Sequence, residues 1–230
     1  MAEVLITLGI IGVVAALTIT SLITKYQKKQ TVVQLKKAYS RLLNAFETAE
    51  AEYGPISSWP ETYINNTFEE YHGYENTTFV DKYLMPQLGH YIFKRRNVKM
   101  YNLAGRGSIF GDQKWYYLDD GTCFYLYVNY SNHGHFHYIF YDINGDKKPN
   151  KWGRDIFVFN FGYSENFKFS LNTDLNLPNR PNASWRDKQL NDSNGACNKA
   201  QTSVNGYYAG FSCGAIIQYD GWEIKDDYPW

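Results

Sequence analysis

MAEVLITLGIIGVVAALTITSLITKYQKKQ (residues 1–30) is the stretch on which the reading of this chain turns. From Val4 to Thr24 there is no charged residue, and 21 apolar and small residues are long enough to cross a bilayer as a helix. A cleavable signal peptide fits less well, because no basic residue precedes the run and the run is long for a signal core. A single carboxylate, Glu3, stands directly before it. The helix dipole favours an acid at that end by under about 1 kcal/mol. A carboxylate carried into a dry environment needs a cationic partner, however, and so can fix the register between neighbouring helices. Gly12, Ala16 and Thr20 lie four apart, a spacing that lets helices approach closely and that also occurs in ordinary membrane helices.

Beyond the apolar run the spacing predicts that the same helix continues. Val32, Leu35, Tyr39, Leu42, Phe46, Ala49 and Tyr53 recur three and four apart, one apolar stripe on an otherwise polar helix. No Gly or Pro interrupts residues 13–53, and Gly54–Pro55 is a strong stop. The chain therefore divides into a helix over 1–53 and a head over 54–230. Residues 4–24 of the helix would serve as a transmembrane segment or filament core, and 25–53 as an amphipathic half.

The segment AEVLITLGIIGVVAALTI resembles the N-terminus of type IV pilin-like proteins, which include pilins and the pseudopilins of type II secretion and competence. In that family a glutamate precedes about 20 apolar residues and the helix runs on into a soluble head. The resemblance implies that Glu3 pairs with the terminal amine of a neighbouring subunit. It also implies processing and N-terminal methylation by a prepilin peptidase, and a head outside the cytoplasm. Two departures stand out. Met1 occupies a place where the family has Leu, so that the leader and aromatic first residue are expected to lie upstream of a truncated start. Thr20 stands where many members carry Pro. The six basic residues between Lys25 and Arg41 also oppose the family topology, since the positive-inside rule would place that side in the cytoplasm.

The 230 residues carry equal numbers of basic and acidic groups, so net charge points to no nucleic-acid partner. The 21 tyrosines suit strands and contact surfaces. FVDKYLMPQL (residues 79–88) reads as a short helix broken near Pro86. From about residue 110 the pattern becomes strands: KWYYL and TCFYLYVNY as a hairpin turning at Asp120–Gly121, then HFHYIFYDI and DIFVFNF. Three or four antiparallel strands facing the second half of the helix make an α+β fold. Residues 170–230, rich in Asn, Asp, Gly and Pro, read mostly as loop. Cys197 and Cys213 either close a disulfide loop there or remain buried thiols, and Cys123 is expected in the core.

In DINGDKKPNKWGRD (residues 142–155), Asp142, Asn144 and Asp146 place oxygen ligands at alternate positions, with Asp155 able to close the set, which suggests a calcium loop. The match is imperfect: Lys147 takes the usual Gly place and no Glu stands twelfth, and a polar turn at Asn144–Gly145 explains the same residues. Some pseudopilins order their head with a bound calcium. His133, His135 and His137 alternate along one strand, a pattern that is more often solvated than zinc-binding. Five Asn-x-Ser/Thr sequons (Asn65, Asn76, Asn129, Asn182, Asn191) are the number chance allows in so Asn-rich a chain. No Gly-rich phosphate loop and no triad-like grouping is visible, so an enzyme is not expected.

The function these features predict is a structural subunit of a type IV pilus-like filament or a secretion pseudopilus. It would cross the bacterial inner membrane once before assembly and then stand in a filament at the periplasm or cell surface, with other pilin-like subunits, the assembly machinery and prepilin peptidase as partners. The alternative is a binding or enzymatic domain for which the helix is only a tether.

Overall fold

The computed structural model describes residues 2–59, 79–107, 113–131, 134–162, 169–171, 181–201 and 209–230. One helix, α1, runs from Ala2 to Tyr53, about 80 Å at 1.5 Å per residue. It ends where the sequence says it must. Gly54 adopts φ +83°, and its N–H closes the last turn on the Glu50 carbonyl at 2.9 Å. That left-handed position suits Gly, and Pro55 cannot continue the helix.

The second half of α1 buries Leu35, Ala38, Leu42, Ala45, Phe46 and Ala49 against the head. The predicted stripe is present, and the two additional alanines let the helix sit close to the sheet. Phe46 packs on Phe161 and Phe169 at centroid distances of 4.8 and 5.0 Å.

The sheet is a six-stranded antiparallel meander in the order β1 to β6. Its strands are β1 Tyr91–Arg95, β2 Lys114–Leu118, β3 Cys123–Ser131, β4 Gly134–Asp142, β5 Ile156–Gly162 and β6 Ser170–Leu171. The predicted hairpin forms, with Gly121 at φ +81° and the Leu118 N–H on the Thr122 carbonyl at 2.9 Å. The expected three or four strands fall short by the two edges. β1 is short, largely exposed and followed by basic residues, and β6 has two residues, so neither carries a strong strand signal.

Alternation along the strands gives the sheet two buried faces. Tyr116, Leu118, Phe124, Leu126, Ile139, Tyr141, Phe157 and Phe159 meet α1. Trp115, Cys123, Tyr125, Phe140, Ile156 and Val158 meet Met100, Trp152 and Phe211 from loops on the far side. Strands buried on both faces read as continuous apolar runs, and TCFYLYVNY is such a run.

One further expectation is corrected, and another is refined. Pro86 does not break a helix: a π-helical turn, Val80–Leu84, leads into α2, Met85–Leu88, and Pro86 sits in the first turn of α2, where a missing N–H costs nothing. Residues 170–230 are mostly irregular where described, as expected, but they also hold two short helices, α3 (Ala183–Asn191) and α4 (Cys213–Tyr219). The Asn182 side chain caps α3 by accepting from the Trp185 N–H at 2.9 Å. In α4, Cys213 through Ile217 are all buried, and so short an apolar run shows no helical period.

Cys197 and Cys213 form a disulfide, and Cys123 is a buried thiol in β3. The bridge ties the segment after α3 to the start of α4 across a separation of 16 residues. A loop of that size contributes about 3 kcal/mol in the chain-entropy model. Urea unfolding of the C197S/C213S variant, followed by tryptophan fluorescence in detergent, should show a loss of that order.

Candidate functional site

Two places on the molecule bear on function: the first half of α1 and the loop between β4 and β5. Along the first half, Val4, Ile6, Leu8, Ile10, Ile11, Val13, Val14, Ile19, Leu22 and Ile23 are 49–68% exposed. No other part of the described chain covers them, and this is the one described helix long and apolar enough to cross a membrane. Four of its threonines turn inward. Thr7, Thr18, Thr20 and Thr24 each donate a hydroxyl to a carbonyl three or four residues back. A helix that lies in lipid or in a dry bundle has to satisfy its polar groups in this internal way. Gly12 and Ala16 lie on the open surface, with nothing near the position a Gly12 side chain would take. Glu3 falls in the first turn of α1, and its side chain lies outside the described ones.

The head grips the helix immediately beyond. Asp120, at the β2–β3 turn, accepts from Arg41 at 2.8 Å and Lys37 at 3.2 Å on one oxygen, and from the Thr122 hydroxyl at 2.6 Å on the other. Burial works to raise the Asp120 pKa. The Thr122 hydroxyl and N–H, Lys37 and Arg41 together outweigh it and hold the carboxyl below its ordinary value. Arg41 also donates to the Leu88 carbonyl, which fastens α2 to the same point. Part of the basic cluster after the apolar run is thus spent on holding the head.

The loop over 142–155 brings its four predicted oxygen-bearing residues together, and a residue that the sequence did not flag sits among them. Arg96 is fully buried. It donates to Asp142 Oδ2 at 2.6 Å, to the Gly145 carbonyl at 2.9 Å and to Asn150 Oδ1 at 2.6 Å, and its Nε lies 3.3 Å from Asp146 Oδ1. Its guanidinium stacks 4.5 Å from the centre of the Trp115 ring. The other oxygens of Asp142 and Asp155 have partners of their own. Asp142 Oδ1 accepts from the Asn144 N–H at 3.0 Å. Asp155 accepts from the Lys151 N–H at 2.6 Å, the Asn150 N–H at 2.7 Å and Asn144 Nδ2 at 3.3 Å. Tyr117 donates to Asp146 at 2.8 Å.

Burial pushes the Asp142 carboxyl above the usual carboxylate range, with Arg96 pulling it down and Asp155 adding to the rise. Burial likewise raises Asp155 against the backbone N–H groups of Lys151 and Asn150. Gly145 is required here, because at φ +70° its added Cβ would lie 2.4 Å from the Gly121 carbonyl oxygen. Calcium needs six to eight converging oxygens free to ligate it. As arranged, both oxygens of Asp142 and of Asp155 accept from protein donors, Arg96 among them, while Asn144 Oδ1 is buried with no hydrogen-bond partner. Among the described residues no group of three or more His, Cys, Asp or Glu is arranged to hold a metal.

The alternating histidines separate in the structure. His133 lies outside the described residues, His135 is in β4, and His137 is fully buried 5.1 Å from the Phe161 ring. The expectation of a solvated face fails at His137, because its face of β4 is the one turned to α1. Of the sequons, Asn65 and Asn76 lie outside the described residues, and Asn182 is engaged as the α3 cap. Sequence reasoning missed Arg96 and Asn150. Arg96 stands in a basic run 46 residues from Asp142, and nothing local marks it as different from its neighbours.

No curated protein and no solved structure matches the chain. One family model does, described as a family of unknown function (DUF6613), and it spans residues 21–230. That match takes in the whole head and the amphipathic half of α1, and it begins where most of the apolar half has ended. The chain belongs to the family of unknown function DUF6613.

Proposed function

We propose that the protein is a structural subunit of a pilin-like filament, either a type IV pilus or a type II secretion pseudopilus. It would wait singly in the membrane by residues 4–24 and assemble through the same surface. The observation that carries this reading is a continuous 52-residue helix whose first half is apolar, uncovered and internally hydrogen-bonded, while its second half is built into a head. Lipid and a bundle of like helices bury that first half equally well, so transfer from one to the other need not be uphill. The disulfide supports a head outside the cytoplasm, because such bonds persist in oxidising compartments. On this reading the basic residues of α1 serve the head and the membrane surface rather than topology. Processing by prepilin peptidase and contact with an assembly machinery belong to the same proposal.

Cross-linking distinguishes a filament subunit from a tethered domain. I11C/V13C, whose two exposed thiols point to opposite sides of the helix so that each chain can bridge to two neighbours, should give a ladder of species from dimer upward when oxidised in native membranes or in sheared surface material. Only monomer, or only a dimer, would leave the tethered binding or enzymatic domain as the better reading. The native cysteines do not interfere, since one pair is bridged and Cys123 is buried.

A further inference from the structure

A pocket of about 350 Å³ lies where the apolar half of α1 meets the head. One wall is Lys25, Lys28, Lys29 and Val32 of α1, and the other is Trp222, Glu223, Ile224 and Asp226 after α4. The three lysines follow directly on the uncovered segment, and their spacing of three and four puts them on one side of the helix. Lys28 is 4.0 Å from Asp226, whereas no ion pair is found for Lys25 or Lys29 among the described residues. The floor is apolar: Ile224 is buried, and Trp222 packs its ring 5.4 Å from Tyr39. Trp222 holds φ +64°, a sparsely populated conformation for a bulky residue, with its N–H on the Ile217 carbonyl at 2.8 Å. Tyr26, 67% exposed, stands beside Lys25 at the same level.

Lys25 to Lys29 spans about 6 Å along the axis, close to the depth of one headgroup layer. Aromatic residues with polar tips and lysines that snorkel are the side chains that settle at this level. We infer that this pocket receives the phosphate headgroup of an anionic lipid at the membrane surface, with Lys25 and Lys29 on the phosphate and Trp222 closing the pocket on the side of the head. The inference rests on residues 4–24 lying in a bilayer. Three lysines against Glu223 and Asp226 leave the pocket a net positive charge, which favours a headgroup of net negative charge. Engagement would hold the head at a fixed height and tilt before assembly, and the lipid would leave when the helix does.

The test uses the full chain in neutral-detergent micelles, titrated with short-chain phosphatidylglycerol, short-chain phosphatidylcholine or glycerol phosphate and read by tryptophan emission. Phosphatidylglycerol should bind at least tenfold more tightly than phosphatidylcholine, and its affinity should fall as salt rises. Each lysine near a charged surface is worth about fivefold, so K25Q/K29Q should weaken phosphatidylglycerol about 25-fold. E223Q/D226N should tighten it with the thermal midpoint unchanged, which separates a charge effect from a fold defect. Equal affinity for the two lipids, or an unchanged affinity in K25Q/K29Q, overturns the site. Glycerol phosphate binding as tightly as phosphatidylglycerol overturns the lipid and leaves a soluble phosphate as ligand. Flotation with vesicles of either composition checks the underlying reading: a chain that stays in the aqueous phase with both loses the membrane anchor, and this site with it.

Discussion

R96M is expected to destabilise the head by about 3–5 kcal/mol at pH 8, the usual result of removing one partner from a buried ion pair. The methionine fills much of the volume and leaves Asp142 fully buried with its Oδ2 unpaired, and it also strips donors from the Gly145 carbonyl and Asn150. The pH dependence supplies a sign. In the variant Asp142 keeps the cost of burial and loses the cation that offsets it, so its folded pKa rises further above the unfolded value of about 3.9. Stability linked to a raised carboxyl pKa is fully present below the unfolded pKa and is lost as pH rises through the folded one. The deficit of R96M should therefore shrink on acidification, and R96M/D142L should recover much of it at neutral pH. Urea unfolding at pH 5 and pH 8 measures both. A deficit under 1 kcal/mol, or one that grows in acid, would show that Arg96 is not the cation this loop is built around. Calcium is part of the same experiment. With Arg96 seated among the acidic groups, neither calcium nor a chelator should move the wild-type midpoint, whereas a clear rise with calcium would show that the loop admits the ion.

E3Q should leave membrane insertion intact and reduce filament yield about a hundredfold or more. The substitution keeps the shape and removes the charge. If Glu3 pairs with a terminal amine in a dry helix bundle, the neighbour's amine is left buried without a counter-charge, at a cost of about 3–5 kcal/mol for each subunit joined. At 1.4 kcal/mol per decade this is at least two orders of magnitude in association. On the same reading, in lipid before assembly the carboxylate would sit near the headgroups, and its loss would cost little. The readout is the ratio of sheared surface protein to membrane-inserted protein, in cells that carry the gene with its upstream codons. Wild-type yield from E3Q would sink the filament reading. Loss of insertion as well would mean that Glu3 serves the membrane stage.

The two experiments concern residues of very different legibility. Glu3 is conspicuous in the sequence because it is a lone charge against an apolar run, and the significance of that contrast is local. Arg96 is one of three consecutive basic residues, and neighbours in the chain say nothing of which one folds inward. The loop it enters was half legible. Alternating Asp142, Asn144 and Asp146 correctly marked a place where oxygens converge, but convergent oxygens are equally a site for an ion and for a guanidinium. Only the chain segment laid across them after β1 shows that a guanidinium reaches them.

The same division holds through the fold. The sequence by itself determined the length of α1, its stripe, its Gly54–Pro55 stop, the Asp120–Gly121 hairpin and the α+β class, because each follows from a period or a turn within a few residues. The disulfide was one of two readings that the sequence left open. Tertiary structure alone decided the two edge strands, the buried helix α4, the second core behind the sheet and the partner of Asp142. Each of these depends on what a segment packs against, and a short element that is weak in isolation is held by contacts to residues dozens of positions away.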